Sequence, residues 1–122
     1  MKSKIVALSK NQDFKNLLKE RKISNKYLTI FFGKLPNKSN KKLNISFVTK
    51  KKLGSAVKRN KIKRKLRNIT NEAVKRLSLK FDYSYLIIAK EAILENKYED
   101  VKKIMFSEFN SVRWEKLLLI YW

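Results

Sequence analysis

From Lys50 to Arg67 the chain reads KKKLGSAVKRNKIKRKLR, cations at close spacing with no acid among them, and no aspartate or glutamate stands anywhere between Leu43 and Asn71. A dense, acid-free run of this kind suits the binding of phosphates. The rest of the chemical inventory is thin. Without histidine or cysteine there is no imidazole base, no thiol nucleophile, no disulfide and no zinc site of the usual kind. The acids are Asp13, Glu20, Glu72, Asp82, Glu91, Glu95, Glu99, Asp100, Glu108 and Glu115. None falls in a motif that sets two carboxylates on a metal or about a scissile bond, and no Walker, Rossmann or zinc pattern occurs. No catalytic residue and no protein-held metal is therefore assigned.

The elements around the basic run can be read in turn. Gly54, one of two glycines, can take positive φ and stop a strand. Ser55 can then cap a helix that opens with Ala56 and Val57. At about 100° per residue, Ile62, Leu66, Ile69, Ala73 and Leu77 share one narrow arc, the stripe a helix buries. Asn60, Lys63, Arg64 and Arg67 form a second row at i, i+3, i+4 and i+7, more than a quarter-turn away. Arg59 borders the apolar stripe, and Lys58, Lys61 and Lys65 line its other edge. A solvated surface normally mixes signs, whereas like charges at i, i+4 cost an isolated helix a few tenths of a kcal/mol per pair. A polyanion would remove that cost.

Composition agrees. The 122 residues carry 31 cations against 10 acids, a formal charge of +21 and an isoelectric point near 10.3, so the expected partner is nucleic acid. An anionic membrane surface is the weaker alternative, because no apolar run reaches spanning length and the N-terminal MKSKIVALSK is too short and polar for a signal peptide. Length and a hydrophobic content of 43% fit one small core and one domain. The composition suits the interior of a cell.

Along the chain, a first helix is expected over about 9–20, with Ser9 as cap, Gln12 completing a capping box and Phe14, Leu17 and Leu18 on its apolar edge. Lys26 to Leu35 alternates as a strand. Leu28, Ile30 and Phe32 point one way and Tyr27, Thr29 and Phe31 the other, so both faces carry aromatics and both need a partner. Gly33 to Lys42 reads as an exposed hairpin loop around Pro36. A second strand spans about 43–52, with Ile45 and Phe47 inward. The basic helix covers about 55–79, a strand apolar on both faces about 83–90, and a last helix about 97–116. The last helix buries Val101, Ile104, Met105, Phe109 and Val112 and leaves Lys102, Lys103, Arg113 and Lys116 in solvent. Asn96 and Glu99 suggest its capping box, and Glu99 and Asp100 suit the positive end of its dipole. The apolar tail Leu117 to Trp122 either folds over the core or favours self-association.

The string KKLGSAVKRNKIKRKLR, Lys51 to Arg67, resembles the signature of the bacterial ribonuclease P protein subunit: a lysine pair, glycine, a small polar residue, Ala-Val, Arg-Asn-Arg and an Ile-Lys-Arg continuation. The family's Arg-Asn-Arg is Arg59, Asn60 and Lys61 here, and its usual asparagine after the glycine is Ser55. Lysine at 61 keeps the charge but loses the planar fork, which suits a point-charge phosphate contact. The segment SKNQDFKNLLKE, with Asp13 and Phe14, is similar to the family's opening helix.

The resemblance implies a small single-domain α+β fold, an α/β sandwich of order α-β-β-β-α-β-α with a left-handed βαβ crossover. The pattern shows only two strands before the basic helix. The third is expected as a split of the 43–52 segment or as a short unresolved piece. The resemblance also implies a protein subunit that assists an RNA-catalysed, Mg2+-dependent removal of the 5′ leader from precursor tRNA, the magnesium being held mainly by RNA and substrate. Contacts to the catalytic RNA would fall on Lys51, Lys52, Arg59, Asn60, Lys61, Lys63, Arg64 and Arg67. A leader cleft would use Phe14, Leu18, Tyr27, Thr29 and Phe31. The partners implied are the catalytic RNA and precursor tRNA in the cytoplasm, with no membrane and no DNA. The competing reading is a structural RNA-binding protein, such as a ribosomal component, with no part in catalysis. A DNA-binding helix-turn-helix fits worst, because a strand and not a short helix precedes the basic helix.

Overall fold

The computed structural model describes residues 5–8, 10–36, 38, 41–77 and 81–121, with side chains through residue 112. In chain order the elements are β1 (Ile5–Val6), α1 (Asn11–Leu18), β2 (Arg21–Ser24), β3 (Leu28–Gly33), β4 (Leu43–Val48), α2 (Ala56–Arg76), β5 (Ser84–Ala89) and α3 (Tyr98–Tyr121). Two 3₁₀ turns, Lys51–Leu53 and Glu91–Glu95, lead into α2 and follow β5. The strands form one mixed sheet ordered β1-β4-β5-β3-β2. Once the two-residue β1 is set aside, the helix and strand order is α-β-β-β-α-β-α.

β5 lies at the centre, parallel to β4 with Ile45 beside Tyr85, and antiparallel to β3 with Ile30 beside Ile87. Parallel neighbours cannot be joined by a tight turn. The connection from β4 to β5 is therefore the whole of α2, laid on the sheet by Ile62, Leu66, Ile69, Ala73 and Val74, all buried. Each large apolar side chain in that row contributes about 1.5–3 kcal/mol by burial. α3 joins the same layer through Val101, Met105, Phe109 and Val112, with the Phe109 ring edge-on to Tyr85 at 5.8 Å. The opposite face of the sheet is covered more sparsely. There α1 sets Leu17 on Leu86 and Leu8, with Phe14, Phe31, Val48 and Ile88 half-buried around them.

Two expectations about the strands need correction. The third strand before α2 is the short piece of the two alternatives, Arg21–Ser24, while the 43–52 segment is not split and ends as a strand early: β4 stops at Val48 and Lys51–Leu53 is a 3₁₀ turn. Three of the four residues of β2 are exposed, because it is the sheet edge and pairs with β3 alone, so it carries no apolar alternation to read. The Gly33 to Lys42 loop is not a hairpin either, since β5 inserts between β3 and β4. The hairpin is β2–β3, with Arg21 opposite Phe32 and Ser24 opposite Thr29. Its turn is held by Asn25, whose Oδ1 accepts the backbone N–H groups of Tyr27 (2.8 Å) and Leu28 (3.0 Å), the side-chain turn chemistry that asparagine favours.

The capping expectations also change. Ser55 caps α2, its Oγ accepting the Lys58 N–H at 3.3 Å. α1, however, starts after Lys10, which makes no side-chain cap, and Ser9 lies outside the described residues. Gln12 donates to Asn16 instead (2.9 Å). Asn96 is engaged by the Tyr27 hydroxyl, which donates to its Oδ1 at 2.9 Å, while its amide donates to the Ala92 carbonyl. Lys102 is not simply solvated: its Nζ lies 2.7 Å from Glu72 Oε2 and joins α3 to α2. The expected end of the basic helix at 79 and the packing of Arg113, Lys116 and the Leu117 to Trp122 tail lie outside the described residues and side chains.

Candidate nucleic-acid interface

The basic segment is presented by a rigid joint. Leu53, 2% exposed, anchors the 3₁₀ turn in the core, while Lys51 and Lys52 on the same turn face solvent. Gly54 follows with φ 128° and ψ −162°, a backbone region essentially reserved for glycine. An added Cβ would meet Lys58 Cδ at 2.9 Å. The chain reverses there, and the Ser55 cap starts α2 with no acid in its first turn.

On α2, Asn60, Lys61, Arg64 and Arg67 are exposed, and Arg59 and Lys63 half-buried. Arg59 Nε is buried with no hydrogen-bond partner among the described residues. Lys52 sits 3.9 Å from Glu91, both side chains more than half exposed, a pair worth little in water. Among the described residues this is the one ion pair within the 51–67 segment.

The sparsely covered sheet face supplies the rest. One depression, of about 390 Å³, is bordered by Phe14 from α1, Val6 from β1, Phe47 and Val48 from β4, and Lys63 and Arg67 from α2. A second, of about 530 Å³, has Thr29, Phe31 and Ile88 among its walls together with Lys22, Lys26, Lys50, Lys52 and Lys90. Phe14 and Phe31 pack on the same small apolar cluster, and so do Val48 and Ile88, so both depressions open onto this face of the sheet, the first running around the β4 side to Phe47, Lys63 and Arg67 on the side of α2. Cations beside half-exposed aromatics can hold a phosphate backbone and stack bases at once.

Of the residues expected in a leader cleft, Phe14, Thr29 and Phe31 lie on this face and Leu18 is half exposed on α1. Tyr27 departs from it. It precedes β3, so the strand alternation does not reach it; its ring is 4% exposed within the main core and its hydroxyl is committed to Asn96. Of the expected RNA contacts, Lys63 and Arg67 border the first depression and Lys52 the second, while Lys51, Arg59, Asn60, Lys61 and Arg64 border neither. Lys22, Lys26 and Lys90, which border the second depression, were not singled out by sequence reasoning, whereas Lys50 opens the basic run. The basic RKISNK run around β2 was the available signal for the first two. Among the described residues no three acids cluster so as to hold a metal ion, and no helix is long and apolar enough to cross a membrane.

A family profile for ribonuclease P matches residues 3–113. The chain belongs to the ribonuclease P protein family. The ribonuclease P protein component of Carboxydothermus hydrogenoformans is 34% identical over 95 residues, covering 75% of this chain and 77% of that one. The component of Bacillus pumilus is 33% identical over 97 residues, covering 79% and 78%. Among solved structures, the ribonuclease P protein of Thermotoga maritima superimposes with a TM-score of 0.71 at 23% identity, covering 85% of this chain and 94% of that one. A Staphylococcus aureus RNase P protein mutant gives 0.75 at 22%, covering 88% and 87%. At those identities the structures establish the shared ribonuclease P protein fold, and the sequence relatives establish the family. Membership gives the chain a role in a catalytic ribonucleoprotein, with RNA as its partner, and disfavours an unrelated structural RNA-binding protein.

Proposed function

We propose that this chain serves ribonuclease P by binding two RNAs at once: the catalytic RNA, through the cations of the 51–67 segment, and the 5′ leader of precursor tRNA, along the open sheet face. The observation that carries the reading is the depression in which Phe14 stands with Lys63 and Arg67, where an aromatic surface for an unpaired base meets charges for its backbone. Hydrolysis of the phosphodiester bond belongs to the RNA in this proposal. In the same proposal the Mg2+ of the reaction is held mainly by RNA and substrate.

The protein's contribution is then electrostatic and positional. A chain of +21 placed between two polyanions lowers the repulsion they face on approach, which lets cleavage proceed at lower magnesium. The leader, held on a preformed face, fixes the substrate relative to the catalytic RNA at a smaller entropic cost. Such a role places the protein with precursor tRNA, in the cytoplasm.

The test is cleavage of precursor tRNA by a bacterial ribonuclease P RNA at low magnesium, with and without the protein, on long-leader and leaderless substrates. Rescue that is stronger for the long leader supports the proposal. Tight RNA binding without rescue would return the chain to an RNA-binding role outside catalysis.

A further inference from the structure

The depression over Thr29 and Phe31 is bordered by five lysines, and only Lys52 belongs to the set the sequence assigned to RNA contact. Lys22 comes from β2, Lys26 from the β2–β3 turn, Lys50 from the end of β4 and Lys90 from the end of β5. Lys90 is engaged in a way the others are not. Its Nζ donates to Ser24 Oγ at 2.7 Å and to the Asn25 carbonyl at 2.6 Å, and its backbone N–H donates to the Tyr27 carbonyl at 2.8 Å. Ser24 Oγ in turn shares a hydrogen bond with Thr29 Oγ1 at 3.1 Å. One residue thus ties the central strand of the sheet to the turn of its edge hairpin.

That tie has a mechanical and an electrostatic side. Among the described residues β2 pairs in the sheet with β3 and no other strand, and an edge strand with three of its four residues exposed is weakly fixed in angle. A neutral side chain could close the turn as well. A lysine instead adds a fifth ammonium to a depression where Glu91, 3.9 Å from Lys52, offers one carboxylate against them, and an anion seated there would offset the remaining repulsion.

We propose that Lys22 and Lys26 form a second wall of phosphate contacts for single-stranded RNA, facing Lys50 and Lys52, and that Lys90 is the positioning residue that holds this wall over Thr29 and Phe31. The proposal rests on the leader reading above and deepens it. The RNA path continues from the Phe14 depression across the sheet toward the β2 edge. From β4 to β2 it crosses three strand spacings, about 14 Å.

The experiment uses the holoenzyme reconstituted with a bacterial ribonuclease P RNA, and measures affinity for long-leader and leaderless precursor tRNA across a salt series. The proteins are wild type, K22Q/K26Q, K90M and K90R. Lys22 and Lys26 are exposed, so the double variant leaves the core intact. It is expected to weaken long-leader binding about tenfold more than leaderless binding. The log–log salt slope for the long leader should fall by about 1.4 units, the value for two phosphate contacts on a single strand. K90M should give the same leader-selective loss and K90R, which keeps the charge and the donors, should restore most of it. A wild type that binds both substrates alike overturns the leader reading and this wall with it. A wild type that prefers the long leader, beside a K22Q/K26Q protein with undiminished preference, overturns the wall alone. A K90M loss equal on both substrates, or one that K90R fails to restore, overturns the positioning role.

Discussion

Phe14 on α1 and Arg67 on α2 border the same depression, one from the helix that covers the open sheet face and the other from the helix that packs on the opposite face. α2 is placed by its apolar stripe, yet its basic row reaches around the β4 side of the sheet to meet the aromatic residue of α1. The surfaces proposed for catalytic RNA and for leader thereby meet at one edge of the fold.

Replacing Lys63 or Arg67 by glutamine tests the α2 row. Each substitution should weaken affinity for the catalytic RNA and lower the log–log salt slope by nearly one unit, as expected for one released counterion. Binding titrations from low to physiological salt would show it; a slope equal to that of the wild type would remove the residue from the interface.

Phe14 and Tyr27 should separate cleanly. Phe14→Leu keeps an apolar filler beside Leu17 and Leu86, so stability should fall by less than about 1.5 kcal/mol. Long-leader affinity should drop by about 1–3 kcal/mol through lost stacking. Tyr27→Phe removes only the hydroxyl that donates to Asn96. It should cost about 0.5–1.5 kcal/mol of stability without a leader-specific effect. Urea unfolding paired with substrate titration reads both quantities, and a leader-selective loss in the Tyr27 variant would put that ring back in the cleft.

The joint before α2 is the place where small changes should be expensive. Gly54→Ala must either hold φ near 128° or shift the loop, and should destabilise by about 1–3 kcal/mol. Ser55→Ala, which loses the cap to the Lys58 N–H, should cost about 1 kcal/mol. Denaturant midpoints at constant m-value would check both. A Gly54→Ala protein as stable as the parent would show that the loop can repack at no cost.

The Glu72–Lys102 pair predicts a pH window. The hydrogen bond from Lys102 holds the Glu72 carboxyl below its ordinary value of 4.5, and the same bond holds the Lys102 ammonium above 10.5. A lowered carboxyl contributes stability above its unfolded pKa and loses it as pH falls through the folded value. A raised ammonium contributes below its unfolded pKa and loses it as pH rises through the folded value. Glu72→Gln should therefore destabilise the protein between those limits and converge with wild type in acid. Thermal melts from pH 3 to 9 would show the two curves closing at the acid end; a constant offset across that range would mean the pair is not what the substitution removes.

Much of the candidate site could be read along the chain because its signals are local. The apolar stripe of α2 is a period within one segment, and the structure buries Ile62, Leu66, Ile69 and Ala73 as that period requires. Gly54 and Ser55 are adjacent residues whose backbone and capping preferences act on the next turn. Tyr27 shows where such reading fails. Alternation placed it with Thr29 and Phe31, but the Asn25 turn interposes an irregular step before β3, and the ring goes to the core.

By itself the sequence determined that this protein suits a polyanion and that an acid-free cluster of its cations lies on one helix and the turn before it. These follow from composition and short-range periodicity, which each residue carries with it. Only the tertiary structure decided that β5 enters between β3 and β4, that an edge strand forms from Arg21 to Ser24, and that Lys90 reaches the hairpin turn. Strand order and cross-strand contacts depend on pairing between distant segments, and the energy of that pairing is shared by both partners. A charged edge strand, with one neighbour among the described residues and Ile23 alone turned to the core, leaves little in its own residues to announce where it pairs.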